Sequence, residues 1–386
     1  MRGHRLASMI LVVGLVLTLS ACGDDPSSIS EPIDTGDTTA TGDTQAATTT
    51  QAAAPTEIRI LQGSSGLPEA MWIIGDELGF FEDENLELVF EPTEGSAQSV
   101  QLLIAGQGDV ATTSTEAFLT GVDAGGDIQG IYQTLGAGEG VVFGMIVRED
   151  SAIQSVDELT GGTIGITGFE GGEVPVVNVM LQDAGLTFGV DVDVVPVGDQ
   201  PANIIEALDS GSIDAFGGSA TDFSALGGIE YPFRYLKTEH YDSFPIGGVL
   251  AVSAPFLESN RDAVVGLLRG YAKGVHVWNT VPEAAAAATQ AALPESWANP
   301  EVAQFILDLL GPLYAPTSTD AYGQTDIDGW VSYIEFLKAA PPVGDPIIET
   351  DVDANTAVTN ELIPELNDWD RAAVEDAARA YADAAG

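Results

Sequence analysis

The chain has 386 residues, with 12 Lys and Arg against 59 Asp and Glu, which gives a formal net charge of -47 at pH 7. A surface with this excess of negative charge repels nucleic acid and anionic lipid headgroups, so binding to either is excluded as a function. The single cysteine, Cys22, leaves no second thiol for a disulfide or a zinc-thiolate site.

The N-terminus has the pattern of an exported lipoprotein. Basic residues precede an apolar segment that is too short to span a bilayer comfortably, and the sequence LSAC, which ends at Cys22, matches a bacterial lipobox. We therefore predict a signal peptide over residues 1–21 and lipid on Cys22, which would anchor the protein to the outer face of the cytoplasmic membrane. Residues 22–56 contain few large apolar side chains and are predicted to be a disordered tether.

From residue 57 the hydrophobic pattern alternates between strands and helices, which is typical of open α/β sheets. The predicted strands of this first series are Glu57–Leu61, Leu86–Phe90, Asp109–Thr113, Ile128–Leu135 and Val141–Val147. Helices are predicted between them at Glu69–Leu78, around Val100–Ile104 and at Thr115–Asp123.

A second series begins in the stretch Gly161–Leu186. It contains a strand at Thr163–Thr167, a glycine-rich turn at Gly168–Gly172, and a helix with apolar residues at helical spacing. Glycines allow close approach of a ligand to the backbone, and the helix N-terminus offers free N–H groups. The spacing is not that of a nucleotide phosphate loop, and no basic residue is present. Both a ligand-site wall and an ordinary strand-to-helix connection remain open.

An internal repeat links the two series. The segment LIAGQGDVA, which begins at Leu103, and the segment LDSGSIDAF, which begins at Leu208, have Leu, Gly and Asp at identical spacing. Gly106 and Gly211 are expected to end a helix in the left-handed conformation, and the two aspartates are expected to form turns. The repeat predicts two similar α/β lobes, with ligand-binding loops at the carboxyl ends of the strands.

The rest of the chain predicts a return to the first lobe and then a helical region. Strands are expected at Phe233–Lys237 and Gly247–Ser253, and helices at Arg261–Asn279, Pro282–Leu293, Pro300–Leu310, Asp326–Lys338, Ala354–Leu366 and Arg371–Ala384. The predicted domains are lobe 1 (residues 57–145 and 246–366), lobe 2 (146–245) and a C-terminal helical extension (367–386). Hinges are expected at Gly136–Gly144 and Ser243–Gly248.

The sequence lacks the motifs expected of an enzyme that uses a nucleophile or a zinc ion. No nucleophile elbow, zinc-protease motif or paired histidine spacing occurs, and we expect His240 and His276 to be structural. A calcium-loop pattern is incomplete, because its first position holds Gln324. No catalysis, metal or cofactor is therefore expected.

The motifs GFF at Gly79, ENL at Glu84 and GTIGI at Gly162, together with both repeat copies, resemble those of ABC-importer solute-binding proteins of the nitrate, sulfonate and taurine type. That family shares a domain with thiamine-pyrimidine synthases, and the resemblance covers Ile58 to about Leu362. It implies a two-lobed clamshell with the type II periplasmic-binding-protein fold, in which each lobe has an open, mostly parallel sheet flanked by helices. It also implies a monomer that captures a small molecule and delivers it to an ABC permease with a cytoplasmic ATPase.

The resemblance places ligand contacts on loops at the ends of strands and on the helices that follow. The corresponding residues, with the acids in or beside these loops, are Ser64, Ser65, Trp72, Ser96, Ser114, Thr115, Glu116, Glu139, Phe169, Glu170, Glu173, Ser219 and Asp222. None of these loops holds Lys or Arg.

Carboxylates favour cations and N–H donors and raise the cost of binding a sulfonate. We therefore expect a small amine-bearing or aromatic solute, such as a pyrimidine precursor of thiamine. Within the same family, an alkanesulfonate, taurine or nitrate ligand remains open. From other classes, a pyrimidine synthase-like enzyme and a surface receptor remain open.

Overall fold

The computed structural model describes residues 54–134, 141–238, 241, 245, 247–316, 321–339 and 347–385. The predicted signal peptide, Cys22 and nearly all of the predicted tether lie outside these residues, as do Glu139, His240 and part of each predicted hinge. Within the described part, ten strands form two sheets flanked by helices. The predicted two-lobed α/β fold is therefore confirmed.

The first sheet has the strand order β2-β1-β3-β10-β4. Its strands are β1 (Thr56–Gln62), β2 (Leu86–Pro92), β3 (Val110–Ser114), β4 (Ile128–Gln133) and β10 (Gly248–Ser253). Strand β10 is antiparallel to both of its neighbours, and the other four strands share one direction. The sheet is therefore mixed, with one strand reversed.

The second sheet repeats this arrangement in the order β7-β6-β8-β5-β9. Its strands are β5 (Phe143–Arg148), β6 (Thr163–Ile166), β7 (Asp193–Pro196), β8 (Ala215–Ser219) and β9 (Phe233–Leu236). Here β5 is the reversed strand. In each sheet the reversed strand is the first one formed after the chain has crossed from the other sheet, so the two lobes are joined by two crossovers.

Helices connect the strands and form the C-terminal region. The connecting helices are α1 (Ala70–Glu77), α2 (Ser96–Ile104), α3 (Thr115–Asp123), α4 (Glu173–Asp183), α5 (Pro201–Ser210) and α6 (Ala220–Gly228). The C-terminal helices are α7 (Ala254–Thr280), α8 (Pro282–Ala292), α9 (Pro300–Tyr314), α10 (Ile327–Lys338), α11 (Ala354–Ala357), α12 (Ile363–Leu366) and α13 (Arg371–Ala385). No helix in the described ranges has the length and apolar character needed to cross a bilayer.

The repeated Gly and Asp have the same structural role in both lobes. Gly106 and Gly211 each have φ 71° just after a helix, which confirms the predicted left-handed helix ends. The Asp109 carboxylate accepts a hydrogen bond from the backbone N–H of Arg59 at 2.9 Å, and the Asp214 carboxylate accepts one from the N–H of Thr163 at 2.8 Å. Each aspartate therefore holds the equivalent strand of its own sheet, β1 in the first and β6 in the second.

One predicted helix, Ala354–Leu366, is wrong. The structure has two short helices there, α11 and α12, with extended backbone at Val358 between them. Val358 forms a parallel bridge with Gly130 of β4, and the Thr359 N–H donates to the Gly130 carbonyl at 2.9 Å. Pairing with the edge of the first sheet outcompetes helix formation in this segment.

Helix α7 packs closely on α1 in the core of the first lobe. It begins at Ala254, seven residues before its predicted start at Arg261, and is kinked at Asn260. The closest approach to α1 is at Gly274, where an added Cβ would lie only 2.1 Å from the carbonyl oxygen of Met71. Only a glycine allows the two backbones to meet there.

We expect Gly274→Val to destabilise the protein strongly, because the valine side chain would collide with backbone atoms of α1. The loss should be about 1–3 kcal/mol or more in the free energy of unfolding, measured by chemical denaturation. Asp262→Val, on the exposed face of the same helix, should change it by less than about 0.5 kcal/mol. Equal stabilities of the two variants would contradict the close packing of α1 and α7.

Candidate functional site

A cavity of about 610 Å³ lies where loops of the two lobes meet. The first lobe contributes residues that follow β1, β2 and β4 or lie on β3, and the second lobe contributes residues that follow β6, β7 and β8. These are the carboxyl ends of the strands, where open α/β sheets bind ligands. The cavity is therefore the candidate ligand site.

Nine of the thirteen residues predicted for the site line this cavity. They are Ser64, Ser65, Ser96, Ser114, Phe169, Glu170, Glu173, Ser219 and Asp222. The glycine-rich turn Gly168–Gly172, which the sequence left as either a site wall or a plain connection, lines the cavity throughout. The two lobes therefore bring together loops that are more than 150 residues apart in the chain.

Three predicted residues do not line the cavity. Trp72 is 2% exposed and packs edge-on against Tyr271 in the core, with 4.6 Å between ring centroids, so it is not placed to stack on a ligand. Thr115 is fully buried and donates its hydroxyl hydrogen to the carbonyl of Pro245 at 3.0 Å. Glu116 is fully buried and accepts a hydrogen bond from the Tyr333 hydroxyl at 2.6 Å. Glu139 lies outside the described residues.

The two lobes touch at a pair of glycine loops at the cavity wall. Gly95 has φ 145°, and a Cβ there would lie 2.2 Å from the carbonyl oxygen of Glu170. Phe169, next to this contact, is 59% exposed and also lines the cavity. An exposed aromatic ring at the wall of a cavity can stack on a flat ligand.

The cavity wall is acidic. Six carboxyl groups line it, those of Glu69, Glu94, Glu170, Glu173, Asp199 and Asp222, and no Lys, Arg or His of the described ranges does so. Close carboxylates without a cation raise one another's free energy, and a positively charged group entering the cavity would relieve that repulsion.

Glu173 begins helix α4 directly after the glycine-rich turn. Its Oε1 accepts hydrogen bonds from the hydroxyl of Thr167 and, at 2.9 Å, from the backbone N–H of the same residue. Burial raises the pKa of the Glu173 carboxyl, the bonds from Thr167 limit the rise, and the nearby charge of Asp222 adds to it. These contacts fix the carboxyl in the part of the cavity wall that the second lobe supplies.

Asp222 has the matching position at the start of α6. Its Oδ2 accepts hydrogen bonds from the backbone N–H and from the hydroxyl of Ser219, both at 2.7 Å. Burial raises the pKa of Asp222, and the two bonds from Ser219 oppose that rise. Glu173 and Asp222 are therefore both held by hydrogen bonds and have no cationic partner in the described part of the wall.

Sequence reasoning missed Glu69, which lines the cavity from the first lobe and is only 6% exposed. Its carboxyl accepts a hydrogen bond from the Ser64 hydroxyl, and the indole of Trp72 lies beside it without a hydrogen bond of normal geometry. Burial raises the pKa of Glu69 to about 7, although Ser64 and Trp72 limit the rise. The segment Leu67-Pro68-Glu69 reads as an ordinary helix start, so only the folded structure reveals this acid.

Two threonine hydroxyls on the first-lobe wall have no partner in the described protein. The Oγ1 atoms of Thr112 and Thr134 are buried, make no hydrogen bond there, and belong to residues that line the cavity. Buried polar atoms normally find a partner, so these hydroxyls are available to a ligand.

No histidine or cysteine of the described residues lines the cavity. The one described histidine, His276, is buried in α7 with its Nδ1 2.8 Å from the Tyr322 hydroxyl, and it does not line the cavity. No group of His, Cys, Asp or Glu in the described ranges is arranged to hold a metal ion.

Comparisons with known proteins identify the family and the fold of the chain. A family model described as NMT1/THI5 like matches residues 69–285. A solved structure from Bordetella bronchiseptica RB50 is 23% identical and covers 82% of this chain and 98% of its own, with a TM-score of 0.64. The alkanesulfonate-binding protein SsuA from Xanthomonas axonopodis pv. citri, bound to MOPS, is 16% identical and covers 80% of this chain and 99% of its own, with a TM-score of 0.61.

The periplasmic aliphatic sulphonate binding protein SsuA from Escherichia coli is 19% identical and covers 67% of this chain and 80% of its own, with a TM-score of 0.52. No curated protein matches the sequence. At these identities the solved structures establish the fold, and they confirm the predicted periplasmic-binding-protein architecture.

Because Glu116 is buried, we expect the free energy of unfolding to depend on pH. Burial raises its pKa from 4.5 to about 7, so the folded protein keeps a proton that the unfolded chain loses. The free energy of unfolding should therefore fall as pH rises from about 4.5 to about 7, by up to about 3 kcal/mol from this residue. Glu116→Gln keeps an acceptor for Tyr333 but cannot titrate, so it should remove that part of the pH dependence.

Chemical denaturation of the two proteins at about pH 5 and about pH 8 measures this difference. Glu206→Gln, an exposed carboxylate on α5, should keep the wild-type pH dependence. A Glu116→Gln protein with the wild-type pH dependence would show that Glu116 is not held protonated in the fold.

Proposed function

Because this chain belongs to the NMT1/THI5-like family and has the fold of solute-binding components of ABC import systems, we propose that it binds a small amine-bearing or aromatic solute between its lobes. A pyrimidine precursor of thiamine is one solute of this class. In this proposal the loaded protein delivers the solute to an ABC permease that is driven by a cytoplasmic ATPase. The protein acts as a monomer and carries out no catalysis.

The acidic wall of the cavity is the single observation that carries the choice of solute. Six carboxyl groups and no basic side chain of the described residues line the cavity. An anionic solute such as a sulfonate or nitrate would have to be desolvated beside carboxylates without a compensating cation. An ammonium or an amino-substituted ring would instead donate hydrogen bonds to them.

Other wall groups support an aromatic or amino-substituted ring. Phe169 offers an exposed ring face, and the unpartnered hydroxyls of Thr112 and Thr134 can each donate or accept a hydrogen bond. Such a combination of a few polar groups with one aromatic face is typical of small-molecule sites.

The proposed location follows from the N-terminal sequence. The lipobox that ends at Cys22 would place the protein on the outer face of the cytoplasmic membrane, with residues 22–56 as the tether. A lipid anchor and a long polar tether keep a binding protein near its permease while leaving its lobes free in the aqueous phase. Mass spectrometry of the membrane-extracted protein would reveal the diacylglyceryl modification of Cys22.

A thermal-shift panel tests the ligand class. We expect benzylamine, thiamine or cytosine to raise the melting temperature, and ethanesulfonate, taurine and nitrate to leave it unchanged, because only the first group avoids placing an anion beside the acidic wall. A solute at about one hundred times its Kd stabilises the folded state by about 2.7 kcal/mol, so the shift should grow with concentration. Stabilisation by taurine or ethanesulfonate alone would refute the proposed ligand class.

Variants of the acidic wall test the site. Glu173→Gln should weaken binding of a stabilising amine by about tenfold to a hundredfold, the loss expected for a charge-assisted hydrogen bond. Glu170→Gln should have a smaller effect, because Glu170 is exposed at the rim. The melting temperatures without solute should stay close to that of the wild type.

Glu206→Gln on the outer face of α5 is the matched control, with the same change of charge far from the cavity, and it should bind as the wild type does. If Glu173→Gln and Glu170→Gln also bind as the wild type does, the cavity is not the ligand site.

A further inference from the structure

Glu69 differs from the other acids of the cavity in its surroundings. It lies on the first-lobe wall at the start of α1, and its carboxyl is almost completely withdrawn from solvent. The described contacts of this carboxyl are the donated hydrogen bond from the Ser64 hydroxyl and the neighbouring indole of Trp72. Buried carboxylates in proteins are normally paired with a cation, and none of the described residues supplies one here.

The other groups packed around Glu69 do not ionise near neutral pH. Tyr271 of α7 and Tyr314 of α9 are both close enough to sense its charge, and burial raises the pKa of each phenol well above its ordinary value. The other charged residues that line the cavity are Glu94, Glu170, Glu173, Asp199 and Asp222, which are all acids. Every charged group of the described cavity wall is therefore of the same sign as Glu69, and a cationic ligand would supply the missing counter-ion.

We propose that Glu69 is a specificity-determining residue that receives the positively charged group of the solute and gives up its own proton when that group binds. The inference rests on the proposed function, because it assumes an amine-bearing solute. It goes further by assigning the charged end of that solute to the first-lobe wall and by coupling binding to proton release.

The direction of the pH effect follows from the acid chemistry of Glu69. Burial raises its pKa to about 7 in the empty cavity, so below that pH the carboxyl is mostly neutral. An ammonium group beside it lowers the pKa, since an opposite charge favours the ionised form. Below about pH 7 each bound ammonium must therefore displace a proton, and affinity should rise about tenfold per pH unit until it levels off above that pH.

Isothermal titration calorimetry with benzylamine tests this coupling, because its ammonium group stays protonated over the range from about pH 5.5 to about pH 8.5. At each pH, titrations in two amine-free buffers that hold that pH and have different ionisation enthalpies give the number of protons released. For the wild type we expect close to one proton released at about pH 6 and almost none at about pH 8.5.

Two variants separate a role in proton release from a structural role. Glu69→Gln should bind benzylamine with no pH dependence from this site, should match the wild type at about pH 5.5, and should be about tenfold to a hundredfold weaker at about pH 8.5. Ser64→Ala removes a hydrogen bond that lowers the pKa of Glu69, so the midpoint of the pH dependence should move to a higher pH. Glu206→Gln, an exposed acid of α5 that does not line the cavity, should leave the midpoint where it is in the wild type.

The outcomes distinguish failure of this inference from failure of the proposed function. No benzylamine binding by the wild type at any pH would contradict the proposed amine site and this inference with it. Binding without proton release, with parallel pH curves for the wild type and Glu69→Gln, would overturn the role of Glu69 and leave the amine site standing.

Discussion

The structure depends on an electrostatic constraint at the junction of its lobes, where six carboxyl groups surround one cavity and no described cation neutralises them. The fold tolerates this because each of the buried acids has a local donor: Ser64 for Glu69, Thr167 for Glu173 and Ser219 for Asp222. Each donor lies at the end of the strand that leads into the same loop or just after it. The loops that line the cavity therefore also hold its carboxyl groups in place. A bound cation would neutralise the negative charge that these hydrogen bonds leave.

The two sheets have the same arrangement of strands, and equivalent residues have the same role in each of them. Asp109 accepts a backbone hydrogen bond from β1 and Asp214 accepts one from the equivalent strand β6, and Gly106 and Gly211 end the helices that lead into them. Because the spacing of these residues is local, it could be recognised in the sequence, and so could the strand and helix pattern of both lobes. The return of β10 to the first sheet was also predictable, because one predicted strand, Gly247–Ser253, follows the strands of the second lobe.

The sequence could not show to which side of its helix or strand a side chain points. It also could not show which residues distant in the chain that side chain contacts. Trp72 has the spacing of a helix residue near the cavity, but Tyr271 and the rest of the core enclose its ring. Glu116 lies two residues after the cavity residue Ser114, yet Tyr333, more than two hundred residues later, holds its carboxyl in the core. Glu69 shows the converse, because burial by α7 and α9 makes an ordinary helix-start acid part of the cavity wall.

Native mass spectrometry of the protein purified from its own cells without added solute tests the central claim most directly. We expect the molecule released on denaturation to contain a basic or amino-substituted nitrogen and to be detected as a cation. Release of a sulfonate or another strong acid in stoichiometric amount would contradict it, because the acidic wall would then not select the charge of the solute.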